Sequence, residues 1–244
     1  MNLILLDPSE LHADGSARLD GRRAAHVLGV LRPSIGDTVQ VGVLGGRLGA
    51  GVVLSTDAGA VVLRVTLDRE PPPRAPVDLL LALPRPKILR KVLHAAASMG
   101  VGRLVLLGSH RVEKSYFATP LLDPAALAAE LRLGLEQGRD TVAPAVTVRR
   151  FFKPFVEDEL DATFAGAQRL LADPASAGTL DAVPRAGARA VVAVGPEGGW
   201  TRYEAGQLVA RGFTPFTLGP RVLRVDAAVP FVVGQAQLWL RAGA

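Results

Sequence analysis

The sequence predicts an α/β protein in two parts, a small β-rich N-terminal domain and a larger domain of alternating strands and helices. Four prolines fall within Pro71–Pro76, where the missing backbone donors and fixed φ favour an extended linker. Before this segment, short stretches alternate apolar and polar residues, as half-buried strands do. After it, apolar runs of strand length alternate with helical spacing, which favours a mostly parallel sheet. We therefore expect domains at 1–70 and 77–244, joined by a linker over 71–76.

Composition sets limits on the chemistry. The 244 residues are 49% hydrophobic and 21% charged, enough to bury a core without disulfides or a structural metal. The absence of cysteine excludes disulfides, thiolate metal ligands and cysteine nucleophiles. The four histidines have no metal-ligand spacing, so we expect no metal. A net charge of +5 favours a polyanionic partner mildly. Without a basic leader or a membrane-length apolar run, we expect a soluble, cytoplasmic protein.

The N-terminal domain is expected to contain one short helix and several strands. Arg22–Leu28 has helical spacing. Gly45-Gly46 lies between two apolar segments and supplies the positive φ of a tight hairpin turn. The expected strands are Asp37–Val43, Gly51–Leu54 and Val61–Val65.

The second domain alternates strands with helices. It begins with a continuous apolar run, Val77–Leu83, followed by helical spacing over Lys87–Met99 with Gly100 in the position of a helix-ending glycine. Further strands are expected at Arg103–Leu107, Val146–Arg149, Arg169–Leu171, Ala190–Val194 and Pro215–Leu218. Further helices are expected at Pro124–Gln137, Thr201–Arg211 and Ala227–Arg241.

Three strand ends carry the candidate chemistry, because open parallel sheets bind ligands beyond the carboxyl ends of their strands. One strand runs into Gly195–Gly199, a glycine-rich turn that lets backbone groups approach a ligand. Thr201 and Glu204 then form a predicted capping box. A second strand leads into Gly219–Asp226, whose two arginines and one aspartate suit an anionic substrate and proton chemistry. The third end, near Leu171, is unremarkable by itself.

Several basic residues are candidates for contact with nucleic acid. Arg22 and His26 lie one helical turn apart with Arg32 just beyond, a possible phosphate-reading face. Arg149–Lys153 interleaves charge with aromatic rings and could stack a base. For each of these, an ordinary surface or core role is the alternative. Two polar clusters, Glu113–Phe117 and Glu136–Arg139, offer acids, bases and cations without a decisive spacing.

The two C-terminal motifs resemble those of a known family. Gly195–Gly199 (GPEGG) followed by Leu218–Arg224 (LGPRVLR) is similar to the paired motifs of the RsmE family of the SPOUT methyltransferases. That family methylates N3 of a uridine in small-subunit ribosomal RNA. The similarity extends over almost the whole chain: His26–Arg32 resembles its N-terminal RNA-binding signature, Leu83–Val101 its first catalytic strand and helix, and Glu136–Arg139 its Glu-Gln-Ser-Gly-Arg segment.

The resemblance implies a fold, a cofactor and partners. The fold would be a SPOUT-like trefoil-knotted α/β methyltransferase domain preceded by a small PUA-like β-barrel domain. S-adenosyl-L-methionine would be the cofactor, 16S rRNA or the small ribosomal subunit the substrate, and the protein a homodimer with its site at the interface. The implied cofactor-binding residues are Leu171, Ala172, Gly195, Pro196, Glu197, Gly198, Gly199, Leu218, Gly219, Pro220, Arg221, Val222 and Leu223. The implied RNA-binding residues are Arg22, His26, Arg32, Lys114 and Arg139.

The expected mechanism rests on Arg224 and Asp226. A sulfonium methyl is already electrophilic, so the enzyme mainly has to position it in line with the uracil N3. That nitrogen carries a weakly acidic proton, which a base must remove unless the forming anion is stabilised. Asp226 is the candidate base or orienter, Arg224 the candidate group that stabilises the uracil oxygens or a phosphate, and Arg221 a second candidate for that role.

Three departures from the family pattern leave alternatives open. Val225-Asp226-Ala227 replaces Thr-Glu-Thr, which shortens the carboxylate and removes two hydroxyls. The Glu136-Gln137 segment is one residue short, and Arg85-Pro86-Lys87 replaces a polar stretch. The chain could therefore methylate another RNA site or a ribose 2′-oxygen, or be a noncatalytic RNA-binding relative.

Overall fold

The computed structural model describes residues 2–57 and 59–242, which form two compact units. The first unit runs to Pro73 and also includes Arg132–Ala143, a segment from the middle of the chain. The second unit comprises Arg74–Leu131 and the chain from Pro144 onward. The chain thus passes from the first unit to the second between Pro73 and Arg74, within the proline-rich segment. It enters the first unit again over Arg132–Ala143.

A mixed five-stranded sheet, curled into a half-barrel, dominates the first unit. Its strand order is β1-β3-β4-β5-β2, with β1 and β3 parallel and the other neighbours antiparallel. Three of these strands confirm predictions. The two short strands β1 and β2 were not predicted, because three or four residues show no clear alternation. The strands are β1 Ile4–Leu6, β2 Ser16–Leu19, β3 Thr38–Val43, β4 Leu48–Ser55 and β5 Val61–Arg69.

The predicted helix of this unit is α1, Gly21–His26, which continues as a π-helical turn over Val27–Leu31. The apolar sides of the sheet and of α1 form one buried cluster that includes Leu19, Ala24 and Leu63. Burial of these side chains is the main stabilising contribution of the unit.

Charged residues tie Arg132–Ala143 into the first unit. Arg132 donates a hydrogen bond to the Asp7 carboxylate at 2.8 Å. Arg22 donates to both oxygens of Glu136, at 2.8 and 2.9 Å, and the Glu136 side chain is only 2% exposed. Since a buried carboxylate is costly without such partners, these bonds fix the segment against the N-terminal sheet.

The second unit is built on a parallel six-stranded sheet, as the alternating pattern predicts. Its strand order is β11-β9-β10-β6-β7-β8. Every residue of β6 and β10 is buried, which explains their continuous apolar sequences, since a central parallel strand is covered on both faces. The strands are β6 Val77–Ala82, β7 Arg103–Leu107, β8 Ala145–Arg149, β9 Gln168–Ala172, β10 Ala190–Val194 and β11 Thr214–Phe216.

The helices follow the prediction closely, with one omission. Gly100 follows α2 with a φ of 72°, the left-handed conformation of a helix-ending glycine. The unpredicted helical segment is Phe152–Thr163, where a π-turn joins two short helices and Phe152, Phe155 and Leu160 enter the core. The helices are α2 Pro86–Ser98, α3 Pro124–Gly138, α4 Phe152–Pro154, α5 Leu160–Thr163, α6 Arg202–Ala210 and α7 Val225–Arg241. Short 3-10 turns lie at Pro8–Glu10, Lys114–Ala118, Pro120–Leu122 and Leu180–Ala182.

The strand order sets where the loops meet. Strands β11, β9 and β10 are consecutive neighbours and run parallel, so the loops after Ala172, Val194 and Phe216 leave the sheet at one edge. The trefoil knot stays a prediction from the family resemblance. No helix of the described residues has the length and apolar character to cross a bilayer.

Candidate functional site

The three predicted loops converge on one cavity of about 460 Å³ in the second unit. It lies beyond the carboxyl ends of β9, β10 and β11, where a parallel sheet is expected to bind ligands. Its volume is within the range of roughly 300–1,000 Å³ typical of small-molecule sites. The predicted residues that line it are Ala172, Gly195, Pro196, Glu197, Gly198, Gly199, Leu218, Gly219, Arg221, Val222, Leu223 and Arg224.

Three of the predicted cofactor-binding and catalytic residues lie outside this lining. Leu171 is fully buried in β9 and packs into the core. Pro220 is exposed at the tip of its loop. Asp226 lies in the first turn of α7, where its side chain is held in ion pairs rather than open to the cavity. The cavity wall also contains residues that were not predicted, among them Asp173, Trp200 and Thr217.

Trp200 and Gly195 are packed directly against each other. A Cβ atom on Gly195 would lie 3.1 Å from the Trp200 backbone nitrogen and 3.2 Å from its indole Nε1, so a larger residue would have to push the indole away by a few tenths of an ångström. The indole Nε1 is buried and has no hydrogen-bond partner in the described part of the chain. Because buried donors are normally paired, this N–H fits an acceptor atom on a molecule bound in the cavity. The only sequence signal for Trp200 is its place after the glycine pair.

Side chains from other elements brace the glycine-rich loop. The Arg111 guanidinium, from the loop after β7, donates to the Gly198 carbonyl. Arg85, before α2, lies 3.8 Å from the Glu197 carboxylate. Neither contact was predicted, because both partners come from segments far from the loop in sequence.

The predicted capping box at the start of α6 is confirmed. The Thr201 hydroxyl accepts a hydrogen bond from the Glu204 backbone, and the Glu204 carboxylate accepts one from the Thr201 backbone at 2.9 Å. Glu204 is only 3% exposed, and it also accepts a bond from the His110 backbone N–H at 2.8 Å. The exit of the glycine-rich loop is therefore fixed both to α6 and to the loop after β7.

Asp226 is the centre of a charged cluster beside the cavity. Its Oδ2 atom lies 2.8 Å from the Lys91 ammonium and 3.3 Å from the Arg224 guanidinium. The hydrogen bond from Lys91, with a smaller contribution from Arg224, lowers the pKa of Asp226 to about 2. Lys91 lies on α2 and was not predicted, because nothing in the sequence links it to a residue 135 positions away.

The candidate RNA-binding residues have different surroundings. Arg32 and Arg139 are exposed and adopt positive φ values of 48° and 56°, and Lys114 is exposed in the second unit. Arg22, by contrast, is engaged with Glu136. His26 directs its Nε2 atom inward, where it has no hydrogen-bond partner among the described residues.

No cluster of three or more histidine, aspartate or glutamate side chains suited to a metal ion occurs in residues 2–57 and 59–242. The polar groups around the cavity are instead backbone groups, an indole, the Arg221 and Arg224 guanidinium groups and the Asp173 and Glu197 carboxylates, which suit an organic ligand with both donor and acceptor atoms.

Comparison with known proteins adds independent findings. A family model described as an RNA methyltransferase domain matches residues 70–237. The ribosomal RNA small subunit methyltransferase E of Treponema pallidum is 30% identical to this chain over 99% of the chain and 94% of that protein.

Solved structures resemble the fold over the whole length. The ribosomal RNA small subunit methyltransferase E of Neisseria gonorrhoeae, solved with S-adenosylmethionine bound, superposes with a TM-score of 0.74 at 21% identity, covering 98% of this chain and 97% of that one. A Legionella pneumophila protein described as a methyltransferase, solved with the same cofactor bound, superposes with a TM-score of 0.75 at 21% identity, with 97% of each chain covered. At these identities the likeness establishes the fold.

Proposed function

This chain belongs to the RNA methyltransferase family that includes the small-subunit rRNA methyltransferases E, and on that premise we propose that it methylates N3 of a uridine in 16S rRNA. S-adenosylmethionine would be the methyl donor. The observation that carries the proposal is the convergence of three separate strand-end loops on one cavity of cofactor size. Because bacterial 16S rRNA is found in the cytoplasm, we propose that the protein acts there.

The cavity fits S-adenosylmethionine chemically. Its lining combines glycine backbone, which allows close approach to a ligand, with the apolar Leu218, Val222 and Leu223. The unpaired indole N–H of Trp200 and the side chain of Arg221 offer partners for acceptor atoms and for the cofactor's carboxylate. When bound, the cofactor supplies an electrophilic sulfonium methyl group.

The charged cluster favours an orienting role for Asp226. A carboxylate whose pKa lies near 2 stays ionised at neutral pH and is a poor proton acceptor. Its two partners, Lys91 and Arg224, are held in place by the same carboxylate. Of the two roles open to Asp226, base and orienter, we propose the second.

Arg224 is the side chain that Asp226 orients in this proposal. It lines the cavity and is 69% exposed, so its guanidinium is accessible to a substrate. We propose that it stabilises the negative charge that develops on the uracil oxygens as N3 loses its proton, with Arg221 as a second candidate. Fixing the guanidinium beforehand is what makes such stabilisation effective, because little reorganisation is then needed.

Contacts with the RNA backbone are proposed for the exposed cations. Arg32 and Arg139 in the first unit and Lys114 in the second have accessible charges that suit phosphate. Arg22 and His26 are weaker candidates because one is paired and the other turns a ring nitrogen inward.

We propose a homodimer formed through α7. Ala227, Phe231, Gly234 and Leu238 recur at intervals of four, three and four residues, so they share one face of the helix. Phe231 is 46% exposed and Leu238 is 66% exposed. An apolar helical stripe of this kind is typical of helix–helix association, and a second copy of the chain supplies the matching stripe.

The decisive experiment identifies the methylated nucleoside. Small ribosomal subunits from a strain lacking the gene are incubated with the purified protein and S-adenosylmethionine, and the rRNA is digested and analysed by mass spectrometry. We expect 3-methyluridine. A ribose-methylated nucleoside would contradict the proposed position, and cofactor binding without any product would favour a noncatalytic RNA-binding protein.

A further inference from the structure

A second cavity, of about 660 Å³, opens on the same edge of the sheet of the second unit. It lies beyond the carboxyl ends of β7 and β8, beside the first turn of α6. Its lining includes residues after both strands, Gly108–His110 and Arg150–Pro154, together with Thr201, Tyr203 and Glu204. None of these residues belongs to the lining of the cavity assigned to the cofactor.

Two aromatic rings are exposed in this second cavity. Phe151 is 71% exposed and Tyr203 is 56% exposed, and both side chains line the same cavity. Aromatic faces next to a cationic groove are the surfaces on which single-stranded nucleic acids stack their bases.

Positive charge accompanies the rings. The Arg150 guanidinium lies 5.3 Å from the centre of the Phe117 ring, which holds it beside the cavity. Lys153 is 66% exposed, and its nearest carboxylate, that of Glu157, is 3.8 Å away. The Glu204 carboxylate in the lining is already occupied by bonds to the Thr201 and His110 backbones.

The lining also contains an unused hydrogen-bonding group. The Ser109 hydroxyl oxygen is buried and has no partner within the described residues. A hydroxyl both donates and accepts, which suits pairing with the edge of a base. This hydroxyl is an observation independent of the rings and the cations.

The two cavities are joined through one aromatic contact. Phe152 lines the second cavity and Trp200 lines the first. Their ring centres lie 5.9 Å apart at an angle of 54°, a distance at which aromatic rings attract each other. A ligand in either cavity therefore lies against the same wall.

We propose that the second cavity binds an RNA base that flanks the methylated uridine. The base stacks on Phe151 or Tyr203, its edge pairs with Ser109, and the adjoining phosphates contact Arg150 and Lys153. This inference rests on the proposed function, since it assigns part of the RNA substrate to a place on the enzyme.

The test measures RNA binding apart from methyl transfer. Phe151→Ala and Tyr203→Ala are titrated against a fluorescein-labelled oligouridylate by fluorescence anisotropy, and against S-adenosylmethionine by calorimetry. We expect each substitution to weaken oligouridylate binding by about tenfold, the usual cost of removing one stacking ring, and to leave cofactor affinity unchanged. Val209→Ala is the matched control, since Val209 is an exposed apolar residue on the same helix as Tyr203 but outside the cavity.

Kinetics on small ribosomal subunits give a second readout. Loss of a flanking contact raises KM about tenfold and changes kcat little, whereas damage to the fold would lower both kcat and cofactor affinity. Failure of wild-type methyl transfer would overturn the proposed function by itself.

The inference about the second cavity is overturned by either of two results. One is oligouridylate affinity that is undetectable in the wild type or unchanged in both ring variants. The other is a shift from dimer to monomer in sedimentation velocity for the ring variants, which would assign Phe151 and Tyr203 to an interface between two copies of the chain.

Discussion

At the scale of single residues, the pairing of Asp226 with Lys91 distinguishes a carboxylate that acts as a base from one that orients its neighbours. A carboxylate acting as a base needs a pKa near the working pH, and the two neighbouring cations move the pKa of Asp226 in the opposite direction. The sequence predicts that Asp226 matters, from its place after the arginine motif. It could not distinguish between the two roles, because the deciding partner, Lys91, comes from a distant helix.

Replacement of Asp226 by Asn is expected to lower kcat by about 100-fold, the scale of losing one oriented charge-stabilising group, with cofactor affinity unchanged. Lys91→Met should also lower kcat, but by less than Asp226→Asn does, because Arg224 keeps its own contact with the carboxylate. Lys87→Met, an exposed lysine one turn earlier on α2, is the control. Equal losses of kcat and of cofactor affinity in Asp226→Asn would mean a structural role.

The pH dependence of activity follows from the same pairing. Because the folded-state pKa of Asp226 is lowered from 3.8 to about 2, its ion pairs are complete above about pH 4 and are lost as the pH falls toward 2. The kcat profile of the wild type between pH 5 and 9 should therefore contain no ionisation of this carboxylate. An acidic limb near pH 6 that disappears in Asp226→Asn would restore Asp226 as the base.

At the scale of elements, the loop between β10 and α6 combines predicted and unpredicted features. Its glycines and capping box follow from local sequence, because backbone conformation and helix capping are decided by neighbouring residues. The bracing by Arg111 and the packing of Trp200 on Gly195 depend on tertiary contacts and have no local signal. The unpredicted helical segment Phe152–Thr163 has the same cause, since its alternation of charge and aromatic residues also suits a surface loop.

Gly195→Ala is expected to weaken S-adenosylmethionine binding by about tenfold, measured by calorimetry. The added methyl would lie 3.1 Å from the Trp200 backbone nitrogen, and overpacking of this kind costs roughly 1–3 kcal/mol. Gly206→Ala in α6 is the control, because a methyl group added there would meet no atom within 4 Å among the described residues outside its own helix backbone and chain neighbours. That variant should keep cofactor affinity and gain roughly 0.5–1 kcal/mol of stability from helix propensity. Unchanged cofactor binding in Gly195→Ala would place the ligand elsewhere.

At the scale of the whole molecule, the sequence predicts a division near the prolines, but it does not predict that Arg132–Ala143 belongs to the first unit. The proline-rich segment and the change from alternation to strand–helix rhythm both reflect local composition, and the parallel sheet follows from that rhythm. The return of Arg132–Ala143 to the first unit depends on pairings such as Arg22 with Glu136. The proposed association between copies has equally little local signal, since the exposed stripe on α7 can be recognised only when the buried faces of the helix are known.

The double substitution Phe231→Arg with Leu238→Arg is expected to convert a dimer to a monomer in sedimentation velocity. Charges placed on both exposed apolar positions would face each other across the proposed interface, where burying unpaired charge is strongly unfavourable. Thermal unfolding of the variant should remain cooperative, because neither side chain belongs to the described core. A wild-type protein that sediments as a monomer would remove the proposal.

The passage of Arg132–Ala143 into the first unit has a consequence for dissection of the gene. A fragment that stops at residue 73 would leave Asp7 without Arg132 and Arg22 without Glu136. A self-sufficient N-terminal module therefore requires two stretches of coding sequence, and α3 begins in one unit and finishes in the other. A chimera that exchanges this module between relatives therefore has to exchange both segments together. A chimera with a single junction at the prolines would have an incomplete first unit.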